Sequence, residues 1–193
     1  MIRTYFIKAF FELVIIVLVT GCGHPLPVDT TYSSHRDHTP ILKYKDHNPI
    51  LQVRVVHSGN EPVELSEITI TMGGNATSDD IAGIQAWYMG QSDRWALTDD
   101  PVGFGTVLSF KPTLTFTGQQ KLLADTSYFL ITCDLTGNAD LLHGLSVQCP
   151  GIKVNQHQIS SNTSDSTLFI QRFGVSVRKH LDDHVDTYRI PGL

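Results

Sequence analysis

Cysteine is scarce in this chain: three in 193 residues, at Cys22, Cys133 and Cys149. That excludes a disulfide-dense miniature scaffold, and the lack of any Cys-x-x-Cys pair excludes a zinc ribbon or a thioredoxin-like site. Basic charge is also short, with 14 Lys and Arg against 19 Asp and Glu, a net charge of −5 and a pI near 5.9. No basic stripe is available to neutralise phosphates, so the composition argues against nucleic acid as a partner. Long apolar runs are missing too. The run Leu13–Val19 holds seven residues, where a spanning helix needs roughly 20. There is no sustained helical periodicity, no phosphate-cradling glycine loop and no Ser-His-Asp arrangement.

What is present begins with a targeting segment. Arg3 and Lys8 precede the short apolar core, and Val19-Thr-Gly-Cys22 comes after it. This stretch resembles the lipobox of bacterial lipoproteins, with Glu12 at the edge of the apolar run as a departure. The resemblance implies that Cys22 is acylated and becomes the new N-terminus, and that the protein is exported, lipid-anchored at the outer membrane or in the periplasm. A plain secretory signal cleaved near the same point is the alternative. Residues 23–47 carry Pro25, Pro27, Pro40 and four histidines (His24, His35, His38, His47) without sustained periodicity. They read as a flexible tether. His35-x-x-His38 has a ligand-like spacing, but no Cys or carboxylate cluster completes a metal site.

From 48 to 173 the pattern becomes short β runs with turn punctuation. Ile50–Val56, Val63–Thr71, Ile84–Met89, Thr106–Phe110, Thr113–Thr117, Ser127–Leu135, Leu145–Cys149, Ile152–Val154 and Leu168–Arg172 are the strand candidates. Asp79-Asp80 is placed to cap a short helical turn. The expected fold is all-β, an antiparallel jelly-roll-like β-sandwich. Cys133 and Cys149 are either bridged, which would contribute about 3 kcal/mol, or buried as free thiols. Trp87, Tyr88 and Trp95 have the flat faces that stack on sugar rings. Alternation sends Trp87 and Tyr88 to opposite faces, which makes core packing the simpler role for at least one of them. Trp95, in a turn-like stretch, is the better candidate for exposure.

The C-terminal stretch carries a second resemblance. Asp186-Thr-Tyr-Arg-Ile190 alternates like a strand and Pro191-Gly192 breaks it. Tyr188-Arg189-Ile190-Pro191, with its lead-in Val177–Asp186 and the adjoining Gly192-Leu193, resembles the Arg-Ile-Pro motif that opens the catalytic propeller of exo-sialidases. Asp79–Gly90, Phe116–Leu122 and Tyr128–Leu135 resemble, less specifically, the β-sandwich accessory domain that precedes that propeller in bacterial members. The resemblance implies residues 1–22 as signal, 23–47 as tether, 48–173 as the accessory sandwich and 174–193 as the first strand of a six-bladed propeller that is otherwise missing. It implies that Arg189 contacts the sialic acid carboxylate, that the partners are sialylated glycans, and that no cofactor or metal takes part. His180-x-x-x-His184 with Asp182, Asp183 and Asp186 falls within the lead-in and reads as a solvated polar loop.

In that family a tyrosine nucleophile and an acid/base aspartate act with retention, an exception to the two-carboxylate rule. Neither can be assigned here. No Asp box (Ser-x-Asp-x-Gly-x-Thr-Trp) is present, since Gln91-Ser-Asp-Arg-Trp95 has the wrong spacing. The 193 residues alone are therefore expected to be inactive, and the rival expectation is a non-catalytic surface lipoprotein that binds glycans or partners. The anchor is directly testable. Metabolic labelling with a fatty-acid analogue is expected to tag the protein, and Cys22→Ala to release it from the membrane fraction; unchanged retention of the variant would refute acylation at Cys22.

Overall fold

The computed structural model describes residues 30–35, 39–98, 100–107, 110–122, 125–160 and 167–172. They form strands β1 (Thr30–His35), β2 (Ile41–Lys43), β3 (Asn48–His57), β4 (Val63–Gly74), β5 (Ile81–Tyr88), β6 (Val102–Val107), β7 (Thr113–Leu122), β8 (Asp125–Leu135), β9 (Gly144–Val154), β10 (His157–Ser160) and β11 (Thr167–Arg172). One sheet has the order β1-β3-β8-β5-β6 and the other β2-β11-β9-β4-β7, with β10 added to β9. All pairings are antiparallel except β2 with β11, which is parallel. The chain crosses from one sheet to the other at every connection from β1 to β9 except the β5–β6 hairpin. The result is the all-β sandwich expected from the alternating runs.

Each sheet presents one apolar face, and burying both against each other makes the core. Val53 and Val55 of β3, Ile84 and Ala86 of β5, and Phe129 and Ile131 of β8 face Ile68 and Ile70 of β4, Phe116 of β7, and Val147 and Ile152 of β9. Bulges keep those faces inward where the sequence breaks step. In β4 the apolar residues run Val63, Leu65, then Ile68, Ile70 and Met72. The register shifts between Leu65 and Glu67 on both neighbours, and this restores the parity. In β9 a shift between Thr69 and Thr71 of the partner strand does the same for Cys149 and Ile152. Pro150-Gly151, which reads as a turn between two strands, is thus an irregularity within one. Pro150 lies between the stretch of β9 that pairs with β11 and the stretch that pairs with β10. A residue without an N–H fits best in such a gap.

Two features close the sandwich. At the β6–β7 side, a Cβ on Gly118 would stand 2.7 Å from the Phe104 carbonyl oxygen and 2.8 Å from its ring, so only glycine permits the two edges to meet. At the end of β4, Gly74 has φ of 95°, and its backbone is packed against Gly144. The β9–β10 hairpin turns through Asn155 and Gln156, with φ of 46° and 69°, the two positive values of a type I′ turn.

The tether expected over 23–47 is corrected for its described part. β1 pairs along its whole length with β3, and β2 lies beside β11. Thr30-Thr-Tyr-Ser-Ser carries few large apolar groups, yet Tyr32 inserts into the core and its hydroxyl donates to the Cys149 carbonyl of the opposite sheet, 3.1 Å away. Thr30 donates to His57 Nδ1 at 2.9 Å, while His57 Nε2 donates to the Glu61 carbonyl at 2.7 Å. Both ring nitrogens of His57 are thereby engaged. Asn48 closes the free side of β2: its side chain accepts from Leu42 N at 2.8 Å and donates to Leu42 O at 3.0 Å. The self-sufficient unit consequently starts near Thr30. Residues 30–172 are expected to melt cooperatively, whereas a version beginning at Asn48 loses Tyr32 and Ile41 from the core and should lose about 3–5 kcal/mol or fail to fold. Equal urea midpoints for the two would contradict this.

Candidate functional site

Several residues singled out by sequence lie outside the described residues: Cys22, His180, His184 and Arg189. Cys133 and Cys149 are described, and both are buried free thiols, so the bridge is not formed. They sit on β8 and β9, which belong to opposite sheets. Each thiol is turned to its own strand, Cys133 towards the Asp134 carbonyl and Cys149 towards the Gly151 carbonyl. Burial, with the neighbouring Asp134 charge, pushes the Cys133 thiol far above its ordinary range. Burial likewise pushes Cys149 up to about 12. Neither thiol is a nucleophile or a metal ligand under such conditions. Among the described residues no group of three or more His, Cys, Asp and Glu side chains is arranged to hold a metal ion.

The aromatic residues divide as alternation requires. Tyr88 packs inward against Phe129, ring centroids 5.2 Å apart. Trp87 points to the outer face of the five-stranded sheet, where it is half-buried. Its indole N–H donates to Thr132 Oγ1 at 2.8 Å, and the His47 ring meets it edge-on with centroids 5.2 Å apart. Leu130, fully buried, is the cross-strand partner of both Trp87 and Gln52. Gln52 Nε2 donates to the Asp93 carbonyl at 3.0 Å, which brings the loop after β5 over this row. Trp87 is thus engaged in packing rather than presented as a platform. Trp95 in the same loop is half-buried, not fully exposed. His47 is not a solvated tether histidine either. It adopts φ of 53° and its N–H donates to Asp134 Oδ1 at 2.6 Å.

The most developed polar constellation was not legible as one. Asp80 ends a turn, not a helix, and its buried carboxylate gathers donors from two loops. Thr77 N donates to Oδ2 at 2.7 Å and Thr77 Oγ1 at 3.0 Å; Asp140 N donates to Oδ1 at 2.8 Å; His143 Nδ1 donates to Oδ2 at 2.8 Å. The Asp80 carbonyl accepts from Thr136 N at 2.9 Å. Asn75 adds a second tie: its side-chain oxygen accepts from Gly144 N at 2.7 Å, and Asn75 N and Ala76 N both donate to the Gly144 carbonyl. The segment between β4 and β5 is thereby locked to the segment between β8 and β9. Lys43 reaches the same segment, donating to the Ala139 carbonyl at 2.8 Å. No nucleophile or open acceptor takes part, so this knot holds loops rather than performing chemistry.

Fold and site together define an all-β sandwich whose most developed polar cluster, around Asp80, serves structure. No family profile matches the sequence, and no curated protein does. Among solved structures the chain is similar to the Hadza microbial sialidase Hz136, with a TM-score of 0.58 and 21% identity over 82% of this chain and 34% of that one. It spans about a third of that sialidase's length. At this identity the likeness concerns the fold. Weaker matches are a FixG-related protein from Vibrio parahaemolyticus (TM-score 0.30, 9% identity, 74% of this chain and 97% of that one) and CpGH89CBM32-6 from Clostridium perfringens (TM-score 0.27, 9% identity, 56% and 95%). Neither of these two likenesses is close enough to bear on function.

The knot makes stability depend on pH at both ends. Burial opposes ionisation of Asp80, but the hydrogen bonds from Asp140, Thr77 and His143 outweigh it and hold its pKa at about 2. Its contribution is present above the unfolded carboxylate value near 4 and is lost as pH falls towards about 2. The hydrogen bond to Asp80 raises the His143 pKa above the ordinary value, against a smaller effect of burial. That contribution is complete below about pH 6.5 and is lost as pH rises through the elevated folded value. His143→Gln is expected to flatten the fall in melting temperature on the alkaline side of about 6.5 while keeping the acid limb. Asp80→Ala should cost about 3 kcal/mol by stranding its donors. An unchanged pH profile in His143→Gln would contradict the linkage.

Proposed function

We propose that this chain is the N-terminal portion of an exported exo-α-sialidase, in which the sandwich is a non-catalytic accessory domain and the segment after it opens the catalytic propeller. The observation that carries this reading is a coincidence of two independent likenesses. Tyr188-Arg189-Ile190-Pro191 resembles the sialidase propeller-opening motif, and the sandwich immediately before it shares its fold with about a third of a solved sialidase. The Asp80 carboxylate, held by Thr77, Asp140 and His143, and the two buried thiols are compatible with such a non-catalytic role.

On this reading Arg189 is the first of the arginines that hold the substrate carboxylate. Sialic acids are ionised at neutral pH, and a planar guanidinium meets a carboxylate with two parallel hydrogen bonds. Such a charge-assisted contact contributes roughly 1.5–3 kcal/mol. Where it also orients the sugar for attack, its loss lowers kcat/KM further. Lipidation at Cys22 would hold the enzyme at the membrane, where it would meet sialylated glycans.

In the complete polypeptide, Arg189→Ala is expected to reduce kcat/KM on a fluorogenic sialoside by about a thousandfold with an unchanged melting temperature. Arg189→Lys should recover little, since a point charge cannot reproduce the fork. Near-parental turnover by a well-folded Arg189→Ala protein would overturn the assignment. A complete polypeptide without hydrolase activity that still bound glycans would favour the non-catalytic lipoprotein instead.

A further inference from the structure

Three of the large apolar side chains exposed on this sandwich border a single strand. Tyr44 is 80% exposed, Leu142 83% and Phe169 60%. Phe169 lies on β11, with its neighbours Leu168 and Ile170 buried, so it projects from the outer face of the six-stranded sheet. Tyr44 directly succeeds β2, which runs parallel to β11 on one side. Leu142 precedes β9 on the other side, where the His143 carbonyl accepts from Ile170 N at 3.1 Å and Phe169 pairs with Gly144. Leu141, beside Leu142, is 39% exposed. Scattered apolar residues need no explanation, but a group gathered round one strand marks a contact surface.

Two other observations narrow what that surface does. Strand addition at the β2 edge is blocked, because Asn48 already occupies both Leu42 N and Leu42 O, so any partner must dock on side chains. The loop bearing Leu141 and Leu142 is also held in place by its bonds to Asp80, Asn75 and Lys43, including Asn75 Nδ2 to the Leu142 carbonyl. The exposed leucines therefore stand on a fixed support, which spares a partner the entropy of ordering them.

We infer that Tyr44, Leu142 and Phe169 form the seat for the domain that succeeds β11 in the same polypeptide. The inference rests on the proposed sialidase function for the nature of that domain, the propeller. The occupant is indicated by position and length. The surface surrounds the last described strand before the Arg-Ile-Pro segment, and this chain covers only 34% of the matched sialidase, which leaves that protein most of its length for further domains. An apolar seat at the exit strand would fix the angle at which the propeller meets the sandwich.

The test compares Leu142→Ser/Phe169→Ser in two contexts, with exposed Val102→Ser on β6, in the other sheet of the sandwich, as control. In residues 1–193 alone the double variant should melt within about 1 °C of the parent, since both side chains are exposed. In the polypeptide produced from the complete reading frame it should lower the melting temperature by about 4 °C or more, while Val102→Ser changes neither. Equal melting of variant and parent in the complete polypeptide would overturn the inference, as would a reading frame that stops at Leu193. So would a concentration-dependent dimer of residues 1–193, seen by sedimentation and dissolved by the double variant, since a second copy would then be the occupant. Sialidase activity assayed on the same samples separates the two claims. A destabilised variant of a polypeptide that lacks hydrolase activity keeps the seat and discards the sialidase assignment.

Discussion

The fold depends on the two inner sheet faces meeting, because consecutive strands seldom support one another. Between β1 and β9 only the β5–β6 pair is a local hairpin. From β1 to β8 every other strand gains its neighbours after the chain has crossed the core and returned. Little structure can therefore stand on local propensity, and the bulges in β3, β4, β5 and β9 keep long strands facing inward over their whole length. Such non-local pairing closes long loops before the contacts that reward it form, which predicts slow folding for a domain of this size.

Crossing connections also decide where polar groups are used. A chain that crosses the core must turn at the ends of the sandwich, and the turns there carry the hydrogen bonds the strands do not. Asp80 joins the β4–β5 crossing to the β8–β9 crossing, Asn75 repeats the tie to Gly144, and Lys43 connects β2 to the same loop. The buried Asp80 carboxylate is engaged by Thr77, Asp140 and His143, and burial pushes both thiols well above their ordinary range.

Much of the sandwich was legible in the sequence because strand alternation is a direct imprint of a half-buried sheet. Ile50–Val56, Val63–Thr71 and Ser127–Leu135 all fall within strands. The parts that were not legible have particular causes. β1 is Thr- and Ser-rich, and its place depends on one tyrosine reaching across to β9. Pro150-Gly151 signals a turn wherever β9 is read without its neighbours, yet the gap between β10 and β11 admits it as a bulge. The Asp80 knot joins residues some 60 positions apart, so no local spacing announces it. Whether Cys133 and Cys149 pair is likewise a matter of how their side chains meet across the core, and only the three-dimensional structure supplies that. Arg189 entered through motif resemblance and not through any physical signal in its own surroundings.

If this sandwich is the accessory part of a sialidase whose chemistry lies after it, activity must separate from the folded sandwich. The decisive comparison is hydrolysis of a fluorogenic α-sialoside by the polypeptide from the complete reading frame, set against residues 30–172 alone. The complete polypeptide is expected to turn the sialoside over with retained anomeric configuration, and the isolated, folded sandwich to leave it untouched. A complete, cooperatively folded polypeptide that leaves the sialoside intact would contradict the assignment.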